Sequence, residues 1–191
     1  MLRTTRWLAP ALLIASLGTA EAAPLSYVLE PEASTVAFVA RAGTGNITGR
    51  FPVTRADLTL DFDRLDRSTV AVTLNVSKGQ ANLPFAVQAM KGESVLDAAN
   101  HPEITFTSTA IRRVGEGAKV DGALTIRGVT RPVTLDAVIW RQQGSAEGSL
   151  DELTVRLTGA IRRSDFGATG FNDLVADVVE LDILARIERT N

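Results

Sequence analysis

This sequence predicts an all-β fold, an eight-stranded antiparallel barrel with a short helical insertion between its third and fourth strands, and three observations point to it. Apolar and polar residues alternate with period two along nearly the whole chain, the signature of half-buried strands. The alternation gives way in residues 78–102, where Ala, Gln, Met, Lys and Glu gather instead. Eight strands with one apolar face each are more than a one-sided sheet would use, and closure into a barrel removes the exposed edges.

Taken in order, the first strand carries Val36, Phe38 and Ala40 on one face until Gly43 and Gly45 break the pattern. The second spans residues 49–62, where Ala56, Leu58, Leu60 and Phe62 alternate with Asp57, Thr59 and Asp61. The third sets Val70, Val72, Leu74 and Val76 against Thr69, Thr73 and Asn75, and the three together read as an antiparallel meander. Residues 78–102 read as one or two short helices. The His101-Pro102 step ends them, because a residue before proline is pushed to extended backbone. The fourth strand carries Ile104, Phe106, Ser108 and Ala110 on its apolar face.

The clearest signal comes next. Val120, Gly122, Leu124 and Ile126 alternate with Asp121, Ala123, Thr125 and Arg127; after a turn at Gly128-Val129-Thr130, Val133, Leu135, Ala137 and Ile139 do the same. These are the fifth and sixth strands, a hairpin with one shared apolar face. Leu153, Val155, Leu157, Gly159 and Ile161 mark the seventh. Val179, Leu181, Ile183, Ala185 and Ile187, against Glu180, Asp182 and Arg186, mark the eighth.

Arg3 and Arg6 precede an apolar stretch over residues 7–17, followed by Ala20-Glu21-Ala22. The stretch is shorter than the ~20 residues a membrane-spanning helix needs, so residues 1–22 read as a secretory signal peptide cleaved before Ala23. Residues 23–191 are then one exported domain, periplasmic or secreted. Cleavage removes Arg3, Arg6 and Glu21 and takes the formal net charge from −2 to −3, a mildly acidic balance with no basic footprint for nucleic acid. The absence of cysteine excludes a disulfide, a thiolate nucleophile and a thiolate metal site. With 45% hydrophobic residues over the full chain, there is apolar content enough for the domain to fold on its core alone.

Catalysis finds little support. A single histidine, His101, supplies neither a multi-histidine metal centre nor a histidine-assisted nucleophile with partners to spare. Its place at an element boundary reads as structural. Asp165 and Asp173 share a loop and could do paired-carboxylate work, but read better as solvated charges. Ala40, Ala56, Ser108, Ala110, Gly122, Ala137, Gly159 and Ala185 all fall on the expected inner face. Small inward residues suit a hollow barrel and equally a tapered, filled one, and the sequence leaves both open.

The run 122–135, Gly-Ala-Leu-Thr-Ile-Arg-Gly-Val-Thr-Arg-Pro-Val-Thr-Leu, resembles the signature hairpin of the YceI-like family of polyisoprenoid-binding, lipocalin-like periplasmic proteins. Ser34-Thr-Val-Ala-Phe38, Gly49-Arg-Phe51, Val95-Leu-Asp97, His101-Pro-Glu-Ile-Thr-Phe106 and Arg163-Ser-Asp-Phe-Gly167 follow in the order that family shows. The resemblance covers essentially the whole mature chain. It implies a lipocalin-like barrel whose pore takes a long isoprenoid or quinone-like chain, with a dimer in some members. It departs at one point: many relatives carry a histidine after the first strand, where this chain has Arg41-Ala42, so no head-group contact from that histidine carries over.

On this reading the protein sequesters a long-chain amphiphile and needs no cofactor. Strand parity assigns the pore lining to Phe38, Leu58, Leu74, Phe106, Leu124, Leu135, Leu157 and Leu181, with Phe166 and Phe171 near the mouth. Leu83, Phe85 and Met90 on the insertion are candidates for an adjustable lid, and Arg162 and Arg163 for a clamp on a phosphate-like head group. Two other readings stay open: an enzyme acting on a lipid or amide in the cavity, and a packed, ligand-free interaction module partnering a membrane redox protein in a stress response.

Overall fold

A computed structural model of the chain describes residues 23–190 apart from residues 143 and 147; the expected leader lies outside the described residues. Among the described residues there are eleven strands: β1 (Leu25–Leu29), β2 (Thr35–Ala42), β3 (Gly45–Phe51), β4 (Val53–Leu60), β5 (Thr69–Asn75), β6 (Gln80–Ala81), β7 (Glu103–Val114), β8 (Gly117–Ile126), β9 (Val129–Arg141), β10 (Glu152–Arg162) and β11 (Val175–Arg189). One helix, α1 (Pro84–Lys91), lies between β6 and β7. Neighbouring strands are antiparallel throughout, in the order β1-β4-β5-β7-β8-β9-β10-β11, and β1 pairs back onto β11 to close the ring.

Eleven strands make eight staves because two staves are interrupted. β1 and β2 lie along the same edge of β11, β1 at Ile187 and β2 from Leu184 onward, separated by a short 3-10 turn at Pro31–Ala33. Across from them, β4 pairs with β1 and β3 pairs with β2, separated by Pro52. Proline lacks the N–H that a ladder needs, which is why each stave breaks there. Ser34 repairs part of the break: its hydroxyl accepts from the Arg186 N–H at 3.0 Å. β6 extends the wall by pairing with β3, and α1, started by Pro84 in its first turn, follows it.

The expected elements appear with four differences, the first being the short strand β6 where only helix is expected. The second expected strand, residues 49–62, is two strands, and β3 begins at Gly45, so the presumed loop before Gly49 is a tight hairpin with Gly43 at φ 55°. β1 was not anticipated at all. The β8–β9 turn is Arg127-Gly128, with φ of 52° and 70°, so β9 already starts at Val129. Positive φ at both central residues is the two-residue turn that matches strand twist.

The core lies inside the ring. Val120, Leu124, Ile126, Val133, Leu135 and Ala137 from β8 and β9 are all buried, as the alternation predicts. A second cluster of Tyr27, Leu153 and Ile187, with Leu58 and Phe62 against it, fills the end where β1 begins and β11 finishes. Ala110 is a correction. The ladder shifts between Ser108 and Ala110, which turns Ala110 outward opposite Asp121 and brings Ile111 inward at 6% exposure.

Candidate functional site

The barrel is hollow. One cavity of about 1360 Å³ runs within it, larger than the ~300–1,000 Å³ of ordinary small-molecule pockets. Its wall is apolar almost throughout, built from inward positions on every stave and closed over in part by α1. The inward glycines explain how large rings and empty space coexist. A Cβ on Gly122 would run into the Phe106 ring, one on Gly49 into the Phe38 ring, and one on Gly159 into Leu135. Glycine therefore lets these side chains lie flat on the opposing backbone instead of crossing the lumen. Phe38 also stacks on Phe51, ring centroids 5.4 Å apart.

All ten residues assigned by parity to the pore, Phe38, Leu58, Leu74, Phe106, Leu124, Leu135, Leu157, Leu181, Phe166 and Phe171, line this cavity. So do Leu83, Phe85 and Met90 on the insertion. Met90 is buried, while Phe85 projects into solvent. Phe166 is buried beneath the 3-10 turn Arg163–Phe166, and Phe171 stands exposed on the loop that follows.

The two arginines proposed for a head-group clamp do different work. Arg162 points outward and lies off the cavity wall. Arg163 is buried, and its guanidinium donates to four backbone carbonyls: Ala168 at 2.6 Å, Gly170 at 2.7 Å, Val175 at 2.9 Å and Ala176 at 3.1 Å. A fork engaged in this way is a loop organiser and has little left for a phosphate. The next residue is tied down as well: the Ser164 N–H and hydroxyl both donate to Asp177 at 2.9 Å, and these bonds hold its carboxyl below the usual range. Arg127, at the β8–β9 turn, donates to the Gly167 carbonyl at 2.8 Å and the Val95 carbonyl at 3.2 Å. It thereby links the segment after α1 to the β10–β11 loop.

Sequence reasoning missed the polar part of the wall. Beyond the Ser108–Ala110 shift, inward parity falls on Arg113, which lines the cavity and donates to the Phe62 carbonyl at 3.0 Å. Glu116 and Arg141 line the same end. For Arg141, alternation continued from Ile139 would have found it; for Arg113, nothing short of the bulge would.

His101 lies 3.9 Å from the Asp97 carboxylate, which also accepts from the Asn100 amide at 3.0 and 3.1 Å. This is a turn-building cluster at the end of the insertion. Asp165 and Asp173 are both exposed. No group of three or more His, Asp or Glu able to hold a metal occurs among the described residues.

A helix-interrupted meander closed into an eight-stave barrel around an apolar lumen narrows the comparison with known proteins, and residues 27–187 match the YceI-like domain. The chain belongs to the YceI-like family. A UPF0312 protein of Pectobacterium carotovorum is 28% identical over 177 residues, covering 92% of this chain and 91% of its own. Protein YceI of Salmonella arizonae matches at 28% over the same shares. Among solved structures, BcnA of Burkholderia cenocepacia superimposes with a TM-score of 0.75 at 22% identity, over 83% of this chain and 99% of that one. A polyisoprenoid binding domain from Saccharophagus degradans does so with a TM-score of 0.62 at 16% identity, over 87% and 99%. These likenesses establish the shared lipocalin-like barrel.

Proposed function

We propose that the protein is an exported, periplasmic carrier that sequesters a long-chain amphiphile, an isoprenoid lipid or isoprenoid quinone, with its tail inside the barrel. The continuous apolar cavity carries this reading. A packed interaction module has no use for about 1360 Å³ of lumen. The wall is tall enough to flank an extended tail: the 15 residues of β11 rise roughly 50 Å, which a tilt of about 40° reduces to roughly 40 Å along the axis.

Burial supplies ample driving force at roughly 0.8 kcal/mol per methylene, so a 40-carbon chain gains on the order of 30 kcal/mol gross. That exceeds the ~20 kcal/mol at which affinities saturate, and ordering a flexible tail offsets much of it. Few polar contacts are needed. The ten lining residues hold the chain, and Leu83, Phe85 and Met90 adapt to its end.

The test is to purify the exported protein from its native periplasm, extract it with organic solvent and identify the lipid by mass spectrometry. A stoichiometric isoprenoid is the expected result. Well-folded protein that stays empty after incubation with quinones and polyprenyl lipids would sink the proposal. Leu124→Asp places a charge in the lumen and is expected to abolish uptake in a protein that still shows a β-sheet spectrum.

A further inference from the structure

Four large apolar side chains stand exposed around one rim of the barrel: Phe85 at 68%, Leu174 at 67%, Phe171 at 51% and Leu83 at 37%. The β2–β3 hairpin tip joins them. On one side Asn82 is bonded to it, its N–H to the Thr48 carbonyl at 2.9 Å and its amide to the Asn46 carbonyl at 3.1 Å. On the other side the Gly43 N–H donates to the Leu174 carbonyl at 3.2 Å. The start of α1 and residues 171–174 therefore flank the same tip.

Phe171 is held there at a cost. Its φ of 58° is a left-handed backbone that a bulky residue rarely adopts. The Leu174 and Val175 N–H groups, at 3.0 and 2.8 Å from its carbonyl, fix the turn. The strain is not offset by burying the ring in this chain, which points to a surface outside it. All four side chains also line the cavity, so apolar surface runs unbroken from the rim to the lumen.

We propose that this rim docks on a lipid bilayer, inserting Phe85, Leu174, Phe171 and Leu83 into the headgroup boundary so that the cavity mouth opens onto hydrocarbon. The inference rests on the carrier reading. A tail passing from the bilayer into the lumen then never meets water. Size argues against a second copy of the chain. With ~200 Å² for a whole large apolar side chain, the rim exposes on the order of 400 Å², half the ~800 Å² per partner of a standard interface. It has the dimensions of a functional patch on a monomer. A patch of four side chains at one rim makes a shallow, reversible contact.

Trp140, the sole tryptophan of residues 23–191, lines the lumen near the opposite end, where β9 finishes, and a chain taken up there would quench it; Trp140→Phe clears the background for a reporter at the rim. The exported protein is mixed with phosphatidylethanolamine–phosphatidylglycerol vesicles carrying brominated chains. It is expected to float with the vesicles. Leu174→Trp in the Trp140→Phe background introduces a reporter expected to lose most of its emission. A Phe85→Ser, Leu174→Ser double variant is expected to bind vesicles at least tenfold more weakly at an unchanged melting temperature. An unquenched Leu174→Trp reporter, undiminished binding by the double variant, or a dimer that the double variant abolishes would each overturn the docking assignment. A dispersed apolar fluorophore that enters the lumen of a protein indifferent to vesicles overturns docking and leaves the carrier standing. Vesicle binding by a protein that takes up no fluorophore does the reverse.

Discussion

At one end of the barrel Tyr27, Leu153 and Ile187 are 3%, 1% and 2% exposed, and Tyr27 meets Phe62 edge to face with its hydroxyl bonded to the Leu150 carbonyl at 2.8 Å. At the other end Phe85 and Leu174 are about two-thirds exposed, and order comes from arginines reaching for backbone carbonyls. The same residue types are used at both ends to opposite effect. At the packed end apolar side chains contribute stability by burial; at the rim they add almost none and are free to serve contact with something else. The two ends therefore lean toward holding the fold and presenting a surface, although Ile139 and Trp140, where β9 finishes near the packed end, are also 38% and 48% exposed.

Mutations should separate these tasks. Leu153→Ala removes a side chain that is 1% exposed and is expected to cost about 3 kcal/mol, whereas Leu174→Ala should fall within about 0.5 kcal/mol. Urea midpoints at unchanged m-values check both. Equal losses would erase the distinction between the ends.

Arg163→Met comes next, leaving four carbonyls without their donor at roughly 2–3 kcal/mol. Its mark is local: hydrogen exchange should accelerate over residues 163–175 and leave β8 protected. Uniform acceleration would mean that this loop is integral to the core.

Tyr27→Phe removes one hydrogen bond and should cost about 1 kcal/mol. It also tests the packed end by pH. Burial raises the Tyr27 phenol above its ordinary value of 10.0, so the native state holds that proton more tightly than the unfolded chain does. The stabilisation is full below about pH 10 and is lost as pH climbs toward the raised native value. Alkaline titrations of melting temperature should flatten in the variant.

The smallest effect belongs to the rim and has the opposite sign. The Ser164 N–H and hydroxyl depress Asp177, whose contribution is present above its ordinary 3.8 and lost as pH falls through the lower native value. Asp177→Asn should remove a slight acid sensitivity, read as exchange in the β10–β11 loop. Acid thus loosens the rim and alkali the packed end.

What could be read from the sequence follows the same division. The β8–β9 hairpin was legible because its alternation has strong contrast, Val, Leu and Ile against Asp, Thr and Arg. Thr107-Ser-Thr-Ala110 has no such contrast, so the shift that turns Ala110 outward leaves no trace in the pattern. β1 escaped notice because five residues, Leu-Ser-Tyr-Val-Leu, are too few to establish a period, and Pro52 was passed over within an otherwise regular run. The lining residues were reachable because parity is local. The role of Arg163 was not, since its acceptors are main-chain atoms of a loop whose course no side-chain pattern encodes.

β11 pairs with β10 along one edge and with both β1 and β2 along the other, the closing contacts joining residues about 160 positions apart, as in Leu29 with Ile187. Without its last strand, the wall up to Arg162 would be an open curved sheet with two unpaired borders and its apolar side uncovered. Only the last strand turns it into a container. Closure is thus a late, long-range event, of the kind that makes folding slow, and no disulfide holds the borders together while they wait. The final fifteen-residue strand acts as the clasp of the vessel, and the span between its synthesis and its docking is when the chain most needs a chaperone.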